Sequence, residues 1–146
     1  MSRIAEEAEK DIDFAKRFYN TAFKMKNLLD ALSHSAVGVA IDINAKMIVV
    51  CSRSGSTCRM ISRFRAPAYI LGMTTDERVW RKLSLSWGVI PLLSEEYPST
   101  DVLLYHATRE ARATGLLKKG DNVVITAGAV TGGSGNTNLI RIDQIK

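Results

Sequence analysis

The stretch MIVVCSRSGSTCRMISRF, Met47–Phe64, passes from an apolar block through Ser52-Arg53-Ser54-Gly55-Ser56-Thr57 into a helical pattern. Uninterrupted apolar and β-branched residues suit a strand covered on both faces. A strand that hands over directly to a helix opens a βαβ unit. The hexapeptide between them carries four hydroxyls, one glycine and one arginine. Ser and Gly form turns for local steric and hydrogen-bonding reasons, so a turn with a helix cap accounts for them. An anion seat accounts for them as well. Successive N–H groups can cradle a phosphate, Gly55 admits close approach, the hydroxyls of Ser52, Ser54, Ser56 and Thr57 donate, and Arg53 supplies a charge-assisted fork. The GxxxxGK[ST] spacing of a Walker loop is absent.

Downstream of this stretch the rhythm repeats. AYILG, GVIPLL and NVVITA read as buried strands, and the segments 57–64, 75–86 and 100–114 read as helices, giving parallel βαβ crossovers with helices on both faces of a sheet. TTDERVWRKL opens with hydroxyl caps and an early acid. NVVITA and NLIRIDQI are joined only by residues 128–137, too few for a comfortable helical crossover, so the last strand is expected antiparallel. Upstream, residues 27–44 form a long apolar helix in which Ala36, Gly38 and Ala40 allow close packing, and it is expected to be buried. The start, RIAEEAEKDIDFAKRF, places Ile4, Ala5, Ala8, Ile12 and Phe14 on one helical face with acids early, a helical arm over residues 1–26 ahead of an α/β core over 27–146.

Composition narrows the class. A chain of 146 residues, 46% hydrophobic and 24% charged, fits one soluble globular domain. No apolar run reaches the roughly 18 residues of a membrane span, and the charged start lacks a signal-peptide core, so a cytoplasmic protein with no membrane partner is expected. The net charge of +5 comes from scattered Lys and Arg with no basic run, no zinc finger and no aromatic-rich RNA signature, which argues against nucleic acid as partner. Cys51 and Cys58 form neither a CxxC pair nor part of a Cys/His cluster and read as reduced, buried thiols; no metal site is expected.

Other candidates are weaker. AGAVTGGSGNTN, 127–138, is glycine-rich; on its own terms a hairpin connection is favoured over a flap that closes on a ligand. His34 and His106 lie in helical stretches and read as packed histidines. Trp80 and Trp87 read as core or interface residues. No Ser-His-Asp order or carboxylate pair composes a catalytic set.

Taken in order, several blocks resemble the carboxy-terminal domain of pyruvate kinase across nearly the whole chain. They are the Ser52–Thr57 loop, Arg65-Ala66-Pro67 at the start of a strand, Trp87-Gly88-Val89-Ile90-Pro91-Leu92, Lys118-Lys119-Gly120-Asp121, and Ser134-Gly135-Asn136-Thr137-Asn138-Leu139-Ile140-Arg141. The resemblance implies a three-layer α/β/α sandwich with a five-stranded, mostly parallel mixed sheet whose last strand is antiparallel. It implies a domain without catalytic residues, magnesium and potassium belonging to a separate catalytic barrel. It implies a phosphorylated small-molecule effector bound at Ser52, Arg53, Ser54, Gly55, Ser56 and Thr57, under a flap at Gly132, Gly133, Ser134, Gly135, Asn136 and Thr137. The barrel domain and further copies of the chain are the implied protein partners. In bisphosphate-responsive members a basic side chain holds the second phosphate, and Leu103 stands at that position in an ungapped reading, which favours a monophosphate effector, a nucleotide monophosphate or an emptied site. Two alternatives remain from the residues: a free-standing sugar-phosphate or nucleotide-monophosphate binding protein, and an unrelated phosphotransferase or hydrolase using the loop directly. The second lacks a base, a metal-binding acid pair and a nucleotide lysine.

Overall fold

The structure, a computed structural model, describes residues 1–128 and 137–146. Helices α1 (Ser2–Lys10), α2 (Phe14–Asn20) and α3 (Leu28–Asp42) precede β1 (Met47–Cys51), α4 (Ser56–Arg63), β2 (Tyr69–Thr74), α5 (Glu77–Leu83), β3 (Val89–Leu93), α6 (Thr100–Ala113), β4 (Asn122–Ala127) and β5 (Leu139–Gln144). The sheet has five strands in the order β3-β2-β1-β4-β5. β1 pairs parallel with β2 and β4, β2 pairs parallel with β3, and β4 pairs with β5 antiparallel, as the short connection requires.

β1 is central, and its alternation explains why it is apolar throughout. Ile48 and Val50 pack with α3, α4 and α5, whereas Met47 and Val49 pack with α6 on the opposite face. All four are fully buried. The result is the expected three layers. β3 departs from the reading of a buried strand: it lies at the sheet edge and is only half-buried. Pro91, which has no N–H for a further ladder, is compatible with that edge. Gly72 in β2 lets two helices press onto the sheet, for a Cβ there would lie 2.8 Å from Cys58 Sγ and 3.1 Å from Leu83 Cδ1.

The helix ends follow local chemistry. Asn27 accepts the Asp30 N–H at 2.9 Å, and Asp30 in return accepts the Lys26 N–H at 3.0 Å, a reciprocal start for α3. α3, expected to be buried, is buried along one side, through Asp30, Ser33, Ala36, Val37 and Ala40, while Leu28 is 90% exposed. For α5 the cap is Asp76 itself, which accepts the N–H groups of Arg78 and Val79, rather than a threonine hydroxyl. The amino-terminal segment is two helices, because Asp13 leaves the helical conformation to accept the Lys16 N–H and begins α2. This segment is docked. Phe18 is buried, its ring 4.6 Å from His34 and in edge contact with Phe64, and Trp87 donates to Glu9 at 3.0 Å while facing Phe14.

Candidate anion-binding site

The strand order places the Ser52–Thr57 loop at a topological switch point. From β1 the chain moves outward through α4 and α5 to β2 and β3, then crosses the other face through α6 to reach β4 on the far side of β1. The α4 and α6 crossovers therefore lie on opposite faces of the sheet and diverge on either side of β1, the arrangement beside which ligands of open α/β sheets usually sit. The two sides touch: Thr57 Oγ1 and Thr137 Oγ1 lie 2.6 Å apart.

The loop folds as its residues dictate. Ser52 Oγ accepts the Gly55 N–H at 3.0 Å, closing a tight turn, and Gly55 sits at φ +78°, a left-handed conformation costly for any residue with a Cβ. A Cβ at that position would also meet Val79 Cγ1 at 2.8 Å. Gly55 is the N-cap of α4 and carries no side chain to cap it. Among the described residues the N–H groups of Ser54, Thr57 and Cys58 have no acceptor, while that of Ser56 leans on Ser54 Oγ at 3.4 Å. Amides without an acceptor at a helix start, with the positive end of the dipole behind them, are the ordinary arrangement for an oxyanion. Ser54 Oγ and Ser56 Oγ are 3.0 Å apart, and Thr57 is buried.

Arg53 is turned outward. Its Nη2 pairs with Glu96 at 3.0 Å, both side chains well exposed, so the pair contributes at most about 1 kcal/mol. Sequence reasoning missed Arg59, whose guanidinium reaches back one helical turn to donate to the Ser54 carbonyl at 3.3 Å and to Ser56 Oγ at 3.4 Å. The position four residues after Gly55 was the available signal, since such residues share a helix face. Thr74 was also missed; its hydroxyl donates to the Arg53 carbonyl at 3.1 Å and accepts the Asp76 N–H at 3.2 Å, tying the loop to the next strand end. No local pattern advertises that contact.

Leu103 packs with the apolar cluster beneath α6 and offers no charge. Of the residues expected in the flap, Thr137 lies against Thr57. Gly132, Gly133, Ser134, Gly135 and Asn136 lie outside the described residues. Cys58 is fully buried and Cys51 partly so; burial pushes both thiols up to about 12, Arg59 offsetting a little of the effect at Cys58, so neither is an available nucleophile at neutral pH. His34 lies in the aromatic cluster of α2, and His106 stacks on Tyr97 at 4.3 Å. Among the described residues no group of three or more His, Cys, Asp or Glu side chains could hold a metal ion.

Residues 30–143 match the model of the family described as pyruvate kinase, alpha/beta domain. Over its full length the chain is 36% identical to a pyruvate kinase of Clostridium acetobutylicum, covering 31% of that enzyme. It is 38% identical, over 99% of its length, to a pyruvate kinase of Staphylococcus aureus, of which it covers 25%. A solved pyruvate kinase of Cryptosporidium parvum superposes on 99% of the chain with a TM-score of 0.84 at 28% identity, the match covering 29% of that protein. The chain thus spans a third or less of the pyruvate kinases it matches. The strand order with one antiparallel edge, the loop at the switch point and these matches agree: the chain belongs to the pyruvate kinase carboxy-terminal alpha/beta domain family.

Proposed function

We propose that this chain serves as the regulatory and oligomerisation domain of a pyruvate kinase, a cytoplasmic glycolytic enzyme that converts phosphoenolpyruvate and ADP to pyruvate and ATP. The chemistry, with its magnesium and potassium, belongs to a catalytic barrel domain, and this domain signals to it. The signal is a phosphorylated small molecule seated on the Ser52–Thr57 loop, under the glycine-rich segment that returns at Thr137. The observation that carries the reading is the uncapped start of α4 at the switch point, where the Thr57 and Cys58 amides have no acceptor among the described residues and the Thr57 hydroxyl meets Thr137. Such a start favours a dianionic phosphoryl group through both hydrogen bonds and the helix dipole. Leu103, apolar and packed under α6, supports an effector with one phosphate rather than two. Allostery then amounts to a coupling free energy between this seat and the distant active site.

A thermal-shift series with sugar monophosphates, sugar bisphosphates and nucleoside monophosphates tests it, since a ligand that binds only the folded chain raises Tm. At least one monophosphate is expected to raise Tm by several degrees, more than its bisphosphate counterpart. A set of flat melting curves, or a rise that survives Thr57→Glu, removes the proposal.

A further inference from the structure

Away from the Ser52–Thr57 loop, α6 and the edge strand β5 enclose a cleft of about 470 Å³. That volume lies within the range of small-molecule sites. Basic side chains outnumber acids in its walls: Arg109 and Arg112 from α6, with Arg141 and Lys146 from β5 and the residues after it, against Asp101 and Asp143. Of the acids that line it, Asp143 is already committed, accepting from Thr108 Oγ1 at 2.8 Å and from the Gln144 N–H at 2.9 Å, with Arg141 4.0 Å away. Asp101 is the other lining acid. Among the described residues Arg109, Arg112 and Lys146 have no ion-pair partner. Guanidinium forks match phosphate oxygens two at a time, and cations gathered in a concave site focus the field on an incoming anion. Tyr105, 67% exposed, presents an aromatic side chain in the same wall.

We propose that the α6/β5 cleft is a second anion site, separate from the strand-end seat, that takes a polyphosphate chain, the phosphates lying along Arg109, Arg112 and Lys146. The shared chemistry is the condensed phosphate, supplied by a nucleoside triphosphate or by an inorganic oligophosphate. Asp143, bonded to Thr108 and beside Arg141, is occupied within the lining rather than facing the anion alone.

Calorimetric titration of the full chain with inorganic tripolyphosphate and with ATP, each at low and at physiological salt, tests it. Binding is expected to weaken as salt rises, because the attraction is between partly exposed charges. The double variant Arg109→Gln, Arg112→Gln, whose fold is checked by circular dichroism, is expected to bind tripolyphosphate at least about tenfold more weakly. Thr57→Glu is expected to leave that affinity unchanged. Retained affinity in the double variant, or its loss in Thr57→Glu with the double variant intact, overturns the proposal. Tyr105→Ala separates the sources: weakened ATP with unchanged tripolyphosphate identifies a nucleotide stacked on the ring, and no change in either identifies the inorganic chain.

Discussion

At Thr57 and Gly55 single atoms decide what the loop can hold. Thr57 is 2% exposed and its hydroxyl meets Thr137, so Thr57→Glu puts a carboxylate inside the cradle of α4 amides and opposes a phosphate by charge as well as volume. Affinity for the phosphorylated effector found by thermal shift is expected to drop about a hundredfold or more. Thr57→Val, which keeps the volume and removes the hydroxyl, is expected to cost about tenfold. Calorimetry of the two variants checks both, and equal affinity in all three proteins would place the anion elsewhere. Gly55→Ala adds a Cβ at φ +78° within 2.8 Å of Val79 Cγ1, and is expected to destabilise the fold by about 2–4 kcal/mol in urea melts. The glycine and the Ser52, Ser54 and Ser56 hydroxyls were readable before folding because they act within the loop itself. Glu96 was not, since its pairing with Arg53 joins positions far apart in the chain.

Among the elements, the amino-terminal helices show how local pattern and tertiary contact divide the work. α1 buries none of its residues and is held through Glu9, which accepts from Trp87 Nε1 at 3.0 Å. α2 is anchored by Phe18, whose ring meets His34, Phe23 and Phe64. Phe18→Ala leaves a cavity between α2, α3 and α4 and is expected to cost about 3–5 kcal/mol. Chemical denaturation measures the loss, and a loss under about 1 kcal/mol would mean that the arm is not part of the cooperative fold. The helical face read from Ile4 to Phe14 was right in type and wrong in continuity. Asp13 is an acceptable helix residue by charge pattern, yet its side chain competes for a backbone N–H and starts a new helix.

For the molecule as a whole, the two buried thiols set an alkaline limit. Cys58 is held at about 12 in the fold against about 8.5 in the unfolded chain, and burial raises Cys51 to the same value. Because the folded value lies above the unfolded one, the fold binds the proton more tightly. The resulting stabilisation is complete below about pH 8.5 and is lost as pH climbs toward the folded value. Tm is expected to fall from about pH 9 upward, and Cys58→Ala, though less stable at neutral pH, is expected to decline less steeply. Parallel declines in the two proteins would show that other groups set the limit. The native chain should also resist iodoacetamide at neutral pH at Cys58, which is fully buried.

Periodicity and punctuation were enough for the strands, the core helices and the antiparallel end, because burial on two faces demands unbroken apolar runs and a short connection forbids a crossover. The residue types at Ser52–Thr57 likewise declared a tight turn, which Ser52 and Gly55 form. Which side of β1 would receive β4 could not be read locally. That choice brings Thr57 to Thr137. Neither could the half-buried edge position of β3, the outward swing of Arg53 to Glu96, or the gathering of Arg109, Arg112 and Arg141 in one cleft. These depend on segments distant in the chain meeting across a sheet, and the energies that select them are those of packing and charge between elements rather than within them.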